Sequence, residues 1–352
     1  MKFQELFDLV DEQNASDLLI SAGAPPMIRV DGRLLRTRHG EMTAEQTKKL
    51  IYGVLTDDQK EKFEENLELD FSLAAGRKQR FRVNVYYQKQ AVTAAFRPIP
   101  DRIPELRELG LPEIVETLAE ERQGLILVTG PTGHGKTTTQ AAIIDKINHE
   151  RECHIITVED PIEYVHNHER SIVDQREVGE DTKNFNNALR AVLRQDPDVI
   201  LVGELRDLET IQTALRAAET GHLVFGTLHT NDAIQSVDRA IDVFPPEQQQ
   251  QIRFMLSMTL LAVVSQRLLP RADTGGRVLA TEVLVANTAV SNLIREGKTH
   301  QVYSIMETNI KEGMQTMDRC IKDLYMKGLI SYEDAAANVR NVKAIMDVGP
   351  GA

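Results

Sequence analysis

Gly130-Pro131-Thr132-Gly133-His134-Gly135-Lys136-Thr137, with Thr138 behind it, matches the phosphate-loop pattern Gly-x-x-x-x-Gly-Lys-Ser/Thr at every fixed position. Before it, residues 125–129 (Leu-Ile-Leu-Val-Thr) form an apolar run of buried-strand length. After it, Ile143, Ile144 and Ile147 recur at helical spacing within residues 137–150. The motif therefore sits on a strand-to-helix turn. There glycines let backbone N–H groups close around phosphates, and the helix N-terminus adds partial positive charge. Lys136 is expected to reach the β- and γ-phosphates of ATP, and the Thr137 hydroxyl to hold Mg²⁺. A plain glycine-rich turn accounts for the glycines but not for Lys136, Thr137 and both flanking elements together.

Composition narrows the class. A chain of 352 residues with 41% apolar residues suggests about two domains with packed cores. Trp is absent and aromatics make up 5%, so the cores are expected to rely on Leu, Ile, Val, Ala and Met. A net charge of −12 opposes binding of duplex nucleic acid over the whole surface. Cys153 and Cys320 are too few for a disulfide scaffold and form no Cys-x-x-Cys pair. The polar, amphipathic start does not resemble a signal peptide, and the longest apolar run, residues 254–264, is too short to span a bilayer. These features predict a cytoplasmic protein whose membrane association is indirect.

Residues 1–99 differ in texture from the rest and suggest a small α+β domain. Residues 3–12 are helix-periodic, and residues 26–30 and 33–36 flank Asp31-Gly32, a hairpin-turn pair. Thr43 and Gln46 form a capping box for a helix running to Leu55. Runs at 69–73, 81–87 and 91–96, joined by short polar turns, imply an antiparallel sheet. Residues 100–111, preceded by Pro98 and containing Pro100 and Pro104, are expected to be a linker.

Residues 112–352 alternate strands and helices, which predicts a parallel sheet with right-handed crossovers. Four buried-type strands are visible, at 125–129, 155–158, 199–202 and 223–228. In such sheets ligands bind beyond the carboxyl ends of the strands. The residues there are the phosphate loop, Glu159-Asp160-Pro161-Ile162-Glu163, Gly203-Glu204-Leu205-Arg206-Asp207 and His229-Thr230-Asn231. Glu204 ends a hydrophobic strand in the manner of a Walker B acid, suited to serve Mg²⁺ through water or to polarise the attacking water. Asp207 suits an N-cap for the helix that Gly221 ends. Glu159, nearest its strand end, and Glu163 are both candidates for water activation. His222 and His229 lie seven residues apart, roughly 23 Å in extended chain, so only one can lie at the strand tip. His229 is the one near the nucleotide, as a γ-phosphate contact.

Four blocks, at residues 130–137, 158–164, 196–207 and 221–231, carry a family likeness over essentially the whole length. The chain resembles the secretion and pilus-assembly ATPases, and within them the type IV pilus retraction ATPases. Glu159 and Glu163 match that family's acidic box, His222 and His229 its paired histidines, and residues 16–26 the opening of its PAS-like N-terminal domain. The resemblance implies an α/β chain with a RecA-like C-terminal ATPase domain behind the smaller α+β PAS-like domain. It also implies a homohexameric ring in which ATP bound between the two domains of one subunit is completed by a neighbour. Arg80 and Arg82 share one face of a strand, and similarity to the family makes Arg82 and Arg97 arginine-finger positions. The implied partner is an inner-membrane pilus platform protein, met peripherally at the cytoplasmic face.

Two departures from the family pattern stand out. His134 occupies a loop position usually small, where an outward side chain is expected to be tolerated. Residues 289–296 (Ala-Val-Ser-Asn-Leu-Ile-Arg-Glu) resemble the retraction-associated stretch but carry Ser291 in place of an expected Arg. The ATPase reading is untouched by this and the retraction reading is weakened, leaving a pilus extension or type II secretion ATPase as the alternative. Against that alternative stands the absence of a four-cysteine module and of a long N-terminal extension. A nucleic-acid translocase on the same core lacks an aromatic-interleaved basic groove. A non-hydrolysing nucleotide-gated assembly protein is disfavoured by the acids that accompany the loop.

Overall fold

The computed structural model describes residues 3–30, 32–76, 79–100 and 102–342. The chain divides into two compact units, Met1–Arg102 with Pro161–Val165, and Ile103–Asp160 with His166–Ala352.

The first unit opens with α1 (Phe3–Glu12), whose Phe3, Leu6, Phe7 and Val10 fall on one buried face. It continues through β1 (Asp17–Ile20), β2 (Met27–Val30), β3 (Arg33–Arg36), α2 (Ala44–Tyr52), α3 (Asp57–Asn66), β4 (Glu68–Ala75), β5 (Gln79–Gln88) and β6 (Ala91–Ile99). These six strands form one sheet in the order β3-β2-β1-β6-β5-β4, antiparallel throughout. Thr43 and Gln46 make the expected reciprocal cap of α2. The expected hairpin joins β2 to β3 with Gly32 at φ 76°, while Asp31 lies outside the described residues. The expectation of an aromatic-poor core fails here. Phe3, Phe7, Phe81 and Phe96 pack ring on ring, Phe7 and Phe81 with centroids 4.2 Å apart, and Phe63 stacks on Tyr87 at 4.9 Å. Few aromatics overall do not prevent their concentration in the smaller core, where each buries a large apolar area.

The second unit runs α4 (Ile114–Leu118), β7 (Gly124–Thr129), α5 (Lys136–Glu150), β8 (His154–Glu159), β9 (Ile172–Glu177), α6 (Phe185–Val192), β10 (Val199–Val202), α7 (Leu208–Glu219), β11 (Leu223–Leu228), α8 (Ala233–Asp242), α9 (Pro246–Thr259), β12 (Leu260–Pro270), β13 (Arg277–Val285), α10 (Thr288–Arg295), α11 (Val302–Thr308), α12 (Met317–Met326) and α13 (Tyr332–Asn338). Its sheet has seven strands in the order β13-β12-β7-β11-β10-β8-β9. All neighbours pair in parallel except β12 and β13, so the expected parallel sheet carries an antiparallel edge. The four expected strands are β7, β8, β10 and β11. Every residue of β7, β10 and β11 is buried, because helices cover both faces. Leu125 and Leu127 enter one core with α6–α9, and Ile126 enters the other with α5. Residues 103–111, expected as linker, contribute Ile103, Leu106, Leu109 and Leu111 to the second of these cores. No helix among the described residues is long and apolar enough to cross a membrane.

Truncating Phe81, fully buried beneath Phe7 and Phe96, should destabilise the first unit by about 3–5 kcal/mol. Urea unfolding followed by circular dichroism on Phe81→Ala measures it. A loss below about 1 kcal/mol would mean that the aromatic cluster repacks.

Candidate active site

The phosphate loop leaves β7 at Thr129 and enters α5 at Lys136, with Gly135 in the left-handed region at φ 85° as the N-cap residue. Gly130 has φ 137°, and a Cβ there would collide with the Gln266 carbonyl of β12, so both backbone shape and space demand glycine. Thr137 and Thr138 occupy the first turn of α5. The Lys136 ammonium, almost fully buried, donates to the carbonyls of Gly130 at 2.8 Å and Pro131 at 3.0 Å.

Parallel register brings the other strand ends to the same edge. Val158 pairs with Val202, Val202 with Gly226, and Gly226 with Leu127. His229 follows β11 and meets the loop directly. Its Nδ1 lies 3.4 Å from both Lys136 Nζ and Thr132 Oγ1, and its Nε2 lies 3.1 Å from Glu204 Oε1. The carboxylate has only lone pairs to offer, so Nε2–H donates to Glu204 and the Nδ1 lone pair faces the ammonium. The second carboxylate oxygen of Glu204 receives Arg206 at 2.6 Å. Burial pushes the Glu204 carboxyl up, but the hydrogen bonds from Arg206 and His229 and the guanidinium charge of Arg206 outweigh it and hold the group below its ordinary range. An ionised acid therefore stands one imidazole away from the loop lysine.

Glu159 ends β8 almost fully buried, and its Oε1 accepts from Thr157 Oγ1 at 2.6 Å and Gln175 Nε2 at 3.2 Å. It leaves the sheet beside Gly203, the residue before Glu204. Glu163 falls in Pro161–Val165, which groups with the first unit. Arg82 and Arg97 also belong to that unit, directly opposite each other on β5 and β6 and both exposed. Arg97 pairs with Asp17 at 2.9 Å. His222 instead closes a helix end: its backbone N–H and Nδ1 both donate to the Ala217 carbonyl at the C-terminus of α7. Asp207 is the N-cap of α7, as expected, accepting from Thr210 N at 2.9 Å.

The His134 side chain does not point outward as expected. Its Nδ1 accepts the Leu268 N–H of β12 at 2.9 Å. Arg277 of β13 reaches the same loop, donating to the Gly133 carbonyl at 3.2 Å. Sequence reasoning missed Arg277, which lies far along the chain in a hairpin with no motif of its own. It also passed over Arg206 as a site residue, although Arg206 stands two residues from Glu204.

The family described as type II/IV secretion system protein matches residues 8–337 of this chain. The chain belongs to that family. It is 50% identical over 335 residues to the type IV pilus retractation ATPase PilT of Pseudomonas aeruginosa, a match spanning 95% of this chain and 97% of that protein. Against a twitching motility protein of Neisseria gonorrhoeae the identity is 49% over 320 residues, with 91% and 86% covered. A crystal structure of the pilus retraction motor PilT with bound ADP superposes with a TM-score of 0.93 at 52% identity, covering 99% of this chain and all of that one. Likeness at this level extends over both units of the fold described above.

Arg206→Ala removes the leading interaction that lowers Glu204 while leaving its burial in place, so the carboxyl rises. A site that uses ionised Glu204 is active above the folded pKa of that group and fails as pH falls through it, so the variant should lose ATPase activity at a higher pH than wild type. Initial rates of ATP hydrolysis from about pH 3.5, below the ordinary carboxylate value, up to about pH 8 measure the shift. An unmoved acid limb would show that Glu204 does not set it.

Proposed function

We propose that the protein is an ATP-hydrolysing motor that drives type IV pilus retraction. The observation that carries this reading is the joined array of Lys136, His229, Glu204 and Arg206 at the phosphate loop, in a chain so close to PilT over both units. Residues Gly130 to Thr138 cradle the phosphates through the backbone N–H groups that all of them but Pro131 carry, at the α5 N-terminus. Lys136, now held by two loop carbonyls, exchanges them for β- and γ-phosphate oxygens. His229 then senses the γ-phosphate from the far side of that ammonium. Its link to Glu204 passes the presence of phosphate to the Walker B strand.

Among the described residues no group of three or more His, Cys, Asp or Glu could hold a metal ion by itself. The donors at hand, the Thr137 hydroxyl and the ionised Glu204, suit a Mg²⁺ that takes its remaining ligands from phosphate and water. Such an ion supplies charge neutralisation on the β- and γ-oxygens. For water activation we favour Glu159, since it leaves the sheet beside the Glu204 strand with its carboxylate oriented by Thr157 and Gln175. Glu163 is the second acid of the same box.

The assembly in this reading is a homohexamer docked peripherally on an inner-membrane platform protein at the cytoplasmic face. Arg82 and Arg97 act on the nucleotide of a neighbouring subunit. Turning one unit against the other with each ATP converts hydrolysis into work on the pilus base.

Electron microscopy of a strain lacking the protein tests retraction directly. Excess surface pili with lost twitching is the expected outcome, and bald cells would favour an extension motor instead.

Mixing subunits tests the shared site. Lys136→Ala and the double variant Arg82→Ala, Arg97→Ala should each be inactive, because arginine fingers contribute on the order of 10³- to 10⁵-fold to turnover. Co-expressed, they should regain ATPase activity at interfaces pairing an intact loop with intact arginines. Full activity of the arginine variant as a dispersed monomer would overturn both the shared site and the ring.

A further inference from the structure

β12 runs past the end of the strand beside it. Its pairing with β7 stops at Ser265 and Thr129, yet β12 continues to Pro270. Past that point the side of β12 that had faced β7 has no strand to pair with, and backbone groups left unmatched there carry a cost. The phosphate loop takes the place of the missing strand. Gly130 packs on the Gln266 carbonyl, and the space where a Gly135 Cβ would sit lies 3.8 Å from Leu268 Cδ1. Between these, the Leu268 N–H that would have met a backbone carbonyl is taken by the His134 imidazole at 2.9 Å.

We propose that His134 is a positioning residue for ATP binding, its Nδ1 standing in for a strand carbonyl on the β12 edge and so holding the phosphate loop open in its N–H-forward shape. The loop is thereby fixed on its outer side by side chains of this chain alone. Arg277 of β13 supplies the second tie, at the Gly133 carbonyl.

The role requires a lone pair on Nδ1, and the surroundings preserve it. Burial lowers the His134 pKa, and the charged groups acting on the ring, Lys136 from α5, Arg277 from β13 and Arg267 from β12, are all cations that lower it further. The imidazole is therefore neutral above its ordinary value of about 6.5. A substitute must offer an acceptor at the same reach. Asparagine does, through Oδ1 at the position of Nδ1, whereas alanine does not.

The inference rests on the ATPase reading, and wild-type turnover tests that reading by itself. The latch is tested by comparing His134→Ala and His134→Asn with wild type in steady-state ATP hydrolysis at neutral pH, with thermal unfolding to verify that all three fold alike. Losing one hydrogen bond that pre-forms the loop should raise the KM for ATP roughly 3- to 10-fold in the alanine variant, with kcat within about twofold of wild type. The asparagine variant should restore KM. An alanine variant with wild-type KM would overturn the proposal. So would an asparagine variant as impaired as alanine, because the ring would then be acting by something other than its Nδ1 acceptor.

Discussion

Parallel pairing of β7, β11, β10 and β8 is the constraint on which the site depends. Side chains almost a hundred residues apart in sequence become neighbours because each strand ends at the same edge in near-aligned register. The result is a line of groups in which Lys136 and Arg206 are cations, Glu204 an anion and His229 the joint between lysine and acid. An imidazole with one donor and one acceptor nitrogen is the side chain that can satisfy an ammonium and a carboxylate at once. Both neighbours fix its tautomer, so the ring is oriented before any phosphate arrives.

What the sequence disclosed follows from how local each signal was. The phosphate loop, the Asp207 cap and the Thr43–Gln46 box are short-range devices, and each is found where its pattern put it. The fully buried strands β7, β10 and β11 were visible as bare apolar runs. β12 was hidden because the run at residues 254–264 spans the junction of α9 and β12, where helix and strand share one hydrophobic stretch. β9 was hidden because it is an edge strand with Ile172 exposed, which spoils the alternation. The helix α3 carries the same kind of capping box as α2, at Thr56 and Gln59, but buries only Phe63 and so has no periodic face.

Within the site, motif residues were legible and their supports were not. Lys136, Glu204 and His229 each follow a readable strand. Gln266, Leu268 and Arg277, which shape the loop from β12 and β13, come from a hairpin whose place next to β7 is a fact of topology. Sequence proximity also misleads in one case. Glu159 and Glu163 stand four residues apart, yet the break at Pro161 assigns the second to the other unit.

Arg82 and Arg97 pose an electrostatic problem that the first unit solves only in part. They are directly paired across β5 and β6, an arrangement in which like charges repel. Asp17 offsets this through Arg97, which it binds by Nε at 3.1 Å and Nη2 at 2.9 Å, while also pairing with Arg29 at 3.4 Å. One carboxylate thus serves two guanidinium groups, and the Arg82 guanidinium has no hydrogen bond or ion pair among the described residues. An exposed strand face with a surplus of guanidinium charge and planar forked donors is suited to phosphate oxygens. Its most favourable neighbour is therefore a polyanion, which the hexamer proposed above would bring to it as the nucleotide of another subunit. On that reading the repulsion left after Asp17 pairs with Arg97 is relieved by the phosphates of the neighbouring subunit's nucleotide.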